Sequence, residues 1–194
     1  ERDLAELSLN WSHGDTALVR LKGTLGSNGF SAKTDQLNIP LRWVRPFADG
    51  AVNDLSGRLQ GRVQLASRPD FSEFTWSGSG FWSNAHLRIP TVGLGLTGTA
   101  PWRLTDKAFT LGPARFAAHR GVGSAEITAN LSFTGSEWVD LRFKTERMVV
   151  LDLPPSRKAD FYGYMVASGS GRLHGSSRAL SLDVRAKSAD SSVF

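Results

Sequence analysis

The stretch that decides the fold class is residues 55–65. It reads Leu-Ser-Gly-Arg-Leu-Gln-Gly-Arg-Val-Gln-Leu, so that Leu55, Leu59, Val63 and Leu65 all have odd numbers, while every even position carries Ser, Arg or Gln. Side chains two residues apart share one face of a β-strand. The stretch therefore predicts a strand with one apolar and one polar face.

The same alternation recurs along almost the whole chain. It predicts about a dozen strands at the usual length of about 5–6 residues. Further runs lie at residues 7–11, 19–25, 37–43, 74–82, 87–89, 92–96, 102–104, 109–111, 127–133, 139–143, 162–166 and 180–186. Helical periodicity is almost absent, and we expect only a short helical turn at residues 47–55 and a loop or single turn at residues 154–160.

One-sided alternation over so many strands indicates an antiparallel sheet whose single apolar face must be covered. A second sheet would make a sandwich, closure would make a barrel, and an open sheet could curl into a trough that holds a ligand. Glycine recurs inside the runs, as at Gly23, Gly57 and Gly61. Strand glycines mark bends, bulges or close backbone approach, which favours strong curvature. We therefore predict an all-β fold, a long curled antiparallel sheet with an apolar interior, with a β-sandwich as the alternative.

The 194 residues fit one large all-β unit. We expect a single segment of a longer protein, with residues 1–46 as a looser N-terminal part. Because the chain has no cysteine, disulfides and thiolate chemistry are excluded. The net charge is +5, but the basic residues come singly, as at Arg58, Arg62 and Arg103. Scattered arginines are typical of a solvated outer face rather than of a nucleic-acid site.

The sequence contains no recognisable catalytic or metal-binding pattern. The four histidines, His13, His86, His119 and His174, are not at metal-ligand spacing. Residues 93–98 match Gly-x-Gly-x-x-Gly by letters, but no helical pattern follows them, so a dinucleotide site is not predicted. We therefore expect a non-enzymatic protein without cofactor or metal.

Six tryptophans are the most distinctive side chains. Trp43, Trp76 and Trp102 fall on the apolar parity of their strands, which favours a core or groove over an exposed sugar-binding platform. The apolar positions of the strands are the candidates for lining such a groove. They are Leu59, Val63, Leu65, Trp76, Leu94, Leu96, Trp102, Ile127, Leu131, Phe133, Leu141, Phe143, Leu180, Leu182 and Val184.

Residues 47–194, with residues 41–47 leading into them, resemble the C-terminal region of the TamB family (translocation and assembly module subunit), within the AsmA-like group of envelope proteins. The most specific stretches are residues 148–153, Met-Val-Val-Leu-Asp-Leu, and residues 160–169, Asp-Phe-Tyr-Gly-Tyr-Met-Val-Ala-Ser-Gly. The others are residues 41–61, 68–71, 78–81, 125–135, 138–141, 173–175 and 180–184.

The resemblance implies a long periplasmic protein of a Gram-negative bacterium, anchored in the inner membrane outside this segment. It implies a β-sheet trough that conducts phospholipid between the inner and outer membranes and supports outer-membrane protein assembly. An outer-membrane barrel protein of the BamA/TamA type is the implied partner. Two alternatives stay open: a chaperone-like scaffold whose strand edges pair with outer-membrane barrel proteins, and a carbohydrate-binding β-sandwich.

Overall fold

A single antiparallel sheet contains nearly all the described residues in the computed structural model of this chain. The structure describes residues 5–13, 16–43, 53–119, 121–134, 138–155, 162–176 and 179–189. The strands lie side by side in chain order, and β1 and β11 form the two edges. The strands are β1 (Ala5–His13), β2 (Thr16–Gly26), β3 (Gly29–Pro40), β4 (Asn53–Ser67), β5 (Phe74–Ile89), β6 (Leu94–Leu104), β7 (Ala108–Ala118), β8 (Ser124–Ser132), β9 (Val139–Leu153), β10 (Gly163–Ser176) and β11 (Ala179–Ser188).

The predicted all-β class and antiparallel pairing are confirmed. The β-sandwich alternative is wrong, because all eleven strands belong to one open sheet. The strands are longer than predicted, at 9 to 16 residues. Helix is limited, in the described residues, to the 3₁₀ turns Leu41–Trp43 and Pro90–Val92. No helix in this part of the chain has the length and apolar character needed to cross a membrane.

Parts of the earlier predictions fall outside the described residues. The helical turn was predicted at residues 47–55. Residues 47–52 lie outside the described part of the chain, and residues 53–55 belong to β4 and not to a helical turn. Residues 156–160 of the predicted loop and the side chain of Trp43 also lie outside this part of the chain. Residues 5–13 and 16–43, assigned to the looser N-terminal part, contribute strands to the same sheet as the rest.

The register places apolar side chains opposite one another from strand to strand. Ile39 pairs with Leu59, Leu59 with Trp82, and Trp82 with Ala100. Directly paired residues point to the same side of a sheet. We call this side the apolar face and the other the outer face. The apolar face includes Leu7, Leu9, Leu21, Ala32, Leu37, Leu59, Trp82, Leu96, Ala100, Trp102, Phe109, Leu111, Ala114, Phe116, Ile127, Leu141, Phe143, Leu173, Leu182 and Val184.

The sheet is curled. Cα atoms of β6 and β9 approach within 8 Å although the two strands are three places apart in the sheet. Adjacent strands are about 4.8 Å apart, so a flat sheet would hold β6 and β9 about 14 Å apart. The core lies on the concave, apolar side, where a buried cluster from β5 to β9 includes Trp82, Leu96, Phe116 and Met148.

Bulges near the middle of alternate strands accompany the curl. In each of four strands, one residue more than in the neighbouring strand lies between two paired positions. These bulges are near Asp35 in β3, near Asn84 in β5, at Gly112 and Pro113 in β7, and near Arg147 in β9. Asn84 and Arg147 have φ angles of 49° and 42°. Because a bulge bends its strand and increases the local twist, the sheet bends where these residues lie.

Aromatic rings on the apolar face lie against glycines one or two strands away. The ring of Phe116 on β7 covers Gly98 of β6, and the indole of Trp102 reaches Gly61 of β4. Trp102 also donates its Nε1 hydrogen to the carbonyl of Gln60 at 3.1 Å. A side chain at either glycine would occupy the space that the ring fills. Several strand glycines therefore serve close approach, one of the three roles predicted for them.

Candidate functional site

All the candidate groove residues lie on the apolar face. Strand registers place Leu59, Val63 and Leu65 of β4 on the same side as the candidates of every later strand. Phe133 follows the last residue of β8, and its ring lies 6.2 Å from that of Trp76. The alternation thus identified one continuous surface, and its role in lipid binding stays a prediction.

The middle of the apolar face is filled by the side chains of the protein itself. Leu94, Leu96 and Trp102 are buried, and Trp82 packs against Phe116 with ring centroids 6.0 Å apart. The turn before β6 reaches across to the end of β9, where Gly93 lies against the backbone of Asp152. The candidates in this part of the face are therefore core residues and leave little room for a ligand.

The two edges of the sheet leave the apolar face open. On β11, Leu180, Leu182 and Val184 are each more than half exposed. On β1, Leu7 and Leu9 are also exposed, although the sequence candidates did not include them. Their alternation was visible in the sequence. What the sequence did not reveal is that β1 is an edge strand, because edge position depends on long-range pairing.

A third open region lies where even-numbered strands end and odd-numbered strands begin. Five aromatic side chains there are about half exposed, and we call them the aromatic rim: Phe71, Phe74, Trp76, Phe133 and Trp138. Trp76 and Phe133 were predicted as groove residues, and the other three were not. Phe71 and Trp138 lie in loops, where strand alternation gives no signal.

The outer face is polar, as the scattered arginines predicted. Arg62 pairs with Ser79 and Ser79 with Arg103, which puts both guanidinium groups on this side. Near the same end of the sheet, Asp140 accepts hydrogen bonds from Arg172 Nε at 2.8 Å and from Arg142 at 3.1 Å. The face opposite the candidate groove is therefore hydrated and charged.

The hydrogen bond from Arg172 lowers the pKa of Asp140 below its usual 3.8; partial burial opposes this shift, and Arg142 adds to it. We expect Asp140→Asn to lower the free energy of unfolding at neutral pH by about 1 kcal/mol. Since the depressed pKa belongs to the folded state, the stabilisation is present above 3.8 and is lost as the pH falls through the folded pKa. Urea unfolding at several pH values measures the difference.

The control for this pH dependence is Asp183→Asn. The Asp183 side chain contacts His174 at 3.3 Å but is 77% exposed. We expect a change of less than about 0.5 kcal/mol for this variant. An Asp140→Asn effect that stayed constant down to a pH of about 2 would contradict the assignment, because Asp140 would then be acting through packing and not through its charge.

A polar cavity of about 350 Å³ lies at the opposite end of the sheet from the aromatic rim. His86 and His119 meet there with ring centroids 4.7 Å apart, and Asp54, Arg88 and Asp152 also line it. The two histidines come from β5 and from the segment after β7, so their sequence spacing gave no sign of the contact. Among the described residues, no three histidine, aspartate or glutamate side chains are grouped to hold a metal ion.

No family model, curated protein or solved structure matches this chain. The resemblance seen in residues 148–153 and 160–169 therefore stays a prediction.

Proposed function

We propose that this chain is a non-enzymatic, lipid-binding segment of a cell-envelope protein that holds phospholipid acyl chains against its apolar face. The observation that carries the proposal is that the apolar face crosses all eleven strands while the protein fills only its middle. Leu182 and its neighbours on β11 are left in water. An acyl chain laid on them would gain about 0.8 kcal/mol for each CH₂ group removed from water.

The proposed setting is the periplasm of a Gram-negative bacterium, between the inner and outer membranes. The support is the sequence resemblance to the TamB family together with the polar outer face, where Arg62 and Arg103 keep the convex side in contact with water. In this setting the segment would pass phospholipid along the trough and support outer-membrane protein assembly.

A second candidate function is favoured by the two edge strands. β1 and β11 span 9 and 10 residues, and each has one neighbour in the sheet. Edge strands can accept another strand through backbone hydrogen bonds. A BamA/TamA-type outer-membrane barrel protein is the proposed partner. Crosslinks from β11 to a barrel protein, together with full function in variants that hold no lipid, would favour this candidate over the first.

The direct test of lipid binding is mass spectrometry of an organic extract of the purified protein. We expect phospholipid to be present in amounts that scale with the protein. Protein that is folded and consistently free of lipid, and that takes up no fluorescent fatty acid such as cis-parinaric acid, would overturn the proposal.

Leu182→Asp is the sharpest variant for the trough. Leu182 is 62% exposed, so an aspartate there does not remove core packing. We expect the affinity for cis-parinaric acid to fall about tenfold or more, because a carboxylate replaces apolar surface under the acyl chain. Titration by fluorescence measures the affinity.

The matched control is Ser181→Asp. It adds the same carboxylate one residue earlier, on the outer face, where Ser181 pairs with His174. We expect fatty-acid affinity to stay within about twofold of the unchanged protein, which is about 0.4 kcal/mol. Equal losses in the two variants would mean that charge on β11 matters and that the apolar face is not the binding surface.

Leu131→Arg is a less suitable test of the trough than Leu182→Asp, because Leu131 is half-buried between Phe109 and Val139.

A further inference from the structure

The exposed aromatic side chains are unevenly distributed between the two ends of the strands. The loop between β4 and β5 and the loop between β8 and β9 both follow even-numbered strands, so they lie at the same end of an antiparallel sheet. These two loops and the strand residues beside them carry the whole aromatic rim. At the other end, the large apolar side chains that are exposed in the described residues are Trp11, Val122 and Tyr162, so five exposed aromatic side chains at one end compare with two at the other.

Ring contacts join two pairs of side chains in the rim. The ring centroids of Trp76 and Phe133 are 6.2 Å apart, and those of Phe71 and Phe74 are 6.4 Å apart. The Phe133 amide donates to the carbonyl of Lys107 at 2.8 Å, which joins the last loop to the β6–β7 hairpin. β5 and β8 are three places apart, so the curl of the sheet brings Trp76 and Phe133 together, while Phe71, Phe74 and Trp138 lie at the same end of the strands.

The charges around the rim are mixed in sign. Arg68 forms an ion pair with Glu73 at 2.8 Å, and Asp70 accepts hydrogen bonds from the amide and hydroxyl of Ser72. Asp106 and Lys107 are adjacent in the β6–β7 hairpin. The described part of the rim thus carries no positive patch for anionic headgroups. Charges of both signs lie side by side around the rim, and this arrangement suits a partner surface that also carries both positive and negative groups.

We propose that the aromatic rim inserts into the interfacial region of a zwitterionic phospholipid bilayer. Phe and Trp side chains at loop tips gain by leaving water, and the interface also accepts the polar groups beside them. This inference goes beyond the proposed function, since the rim would bind a bilayer whether or not the trough holds lipid. If both hold, the open end of the trough faces the membrane.

The test is flotation of the full chain with vesicles of phosphatidylcholine and phosphatidylethanolamine. We expect the protein to float with the vesicles. The affinity of the double variant F71S/W138S for the vesicles should be lower by a factor of about ten or more. Neither residue was a groove candidate. The control is Phe81→Ser, since Phe81 is 55% exposed but pairs with Gln60 on the outer face. We expect Phe81→Ser to bind vesicles like the unchanged protein, and an equal loss there would overturn the proposal.

A second readout locates the contact. Bromine on the lipid acyl chains should quench tryptophan fluorescence in the vesicle-bound protein. We expect most of this quenching to disappear from the vesicle-bound fraction of W76F/W138F, which keeps an aromatic ring at both positions. Binding that required phosphatidylglycerol and vanished at about 1 M NaCl, where the Debye length is about 3 Å, would overturn insertion by the aromatic rim.

The outcomes separate this inference from the proposed function. Lipid found in the organic extract, without flotation, overturns rim insertion alone. Flotation by protein that holds no extractable lipid supports rim insertion and counts against the trough. Capture of an unfolded barrel protein by the rim in preference to vesicles would also overturn the inference.

Discussion

Replacing Phe116 by alanine is expected to lower the free energy of unfolding by about 3–5 kcal/mol. Phe116 is 1% exposed, packs against Trp82 at a centroid distance of 6.0 Å and covers Gly98. Because Gly98 has no side chain that could move into the vacated space, the cavity would stay largely open. Urea denaturation followed by tryptophan fluorescence measures the loss, and Trp82 reports directly on the site.

Two variants control the Phe116 result. Phe81→Ala removes an equally large ring from the outer face, where 55% of the side chain is exposed, and should change stability by less than about 0.5 kcal/mol. Phe116→Leu keeps much of the volume and should lose about 1.5 kcal/mol. If Phe116→Ala lost no more than Phe81→Ala, packing across the apolar face could not be what holds β5 to β7 in the curled sheet.

The faces of the strands were predictable from the sequence because the period of two follows from strand geometry. Leu59, Val63 and Leu65 share a parity, and the structure puts them on one face. The same reasoning placed Arg62 and Arg103 on the opposite side. No long-range information is needed for this assignment, since each strand determines its own two faces.

Strand length was not predictable, because a bulge changes the parity of the residues that follow it. Trp82 and Ala85 lie on the same face of β5, one at an even and one at an odd position, with the bulge between them. In the sequence, residues 74–82 and 87–89 therefore look like two short strands. The bulged residue Asn84 has φ = 49°, a backbone conformation that the side-chain pattern does not reveal.

The division of the apolar face into filled and open parts was also beyond the sequence. Leu96 and Leu182 have similar neighbours in the chain, yet Leu96 is 3% exposed and Leu182 is 62% exposed. The difference comes from the curl, which brings β9 over β6 but leaves β11 at an edge. Curvature is the sum of small bends in many strands. It is therefore a property of the whole sheet and not of a local run of residues.

Gly80→Ala is expected to lower the free energy of unfolding by about 3 kcal/mol. Gly80 faces Gly61 across β4 and β5. A Cβ at Gly80 would lie 2.6 Å from the Gly61 Cα and even closer to the Gln60 carbonyl oxygen. This oxygen accepts the hydrogen bond from Trp102. Alanine must therefore push β4 away, which combines a steric penalty with a weakened, partly buried hydrogen bond. Urea denaturation measures the total loss in the free energy of unfolding.

Two comparisons make the Gly80 prediction specific. Ser79→Ala alters the next residue, on the outer face, and should change stability by less than about 0.5 kcal/mol. In a double-mutant cycle with Trp102→Phe, the loss caused by Gly80→Ala should shrink, because phenylalanine has no N–H to donate and leaves more room. Additive losses would show that Gly80 acts on strand pairing alone. If Gly80→Ala were as harmless as Ser79→Ala, close approach of β4 and β5 would not be the reason for this glycine pair.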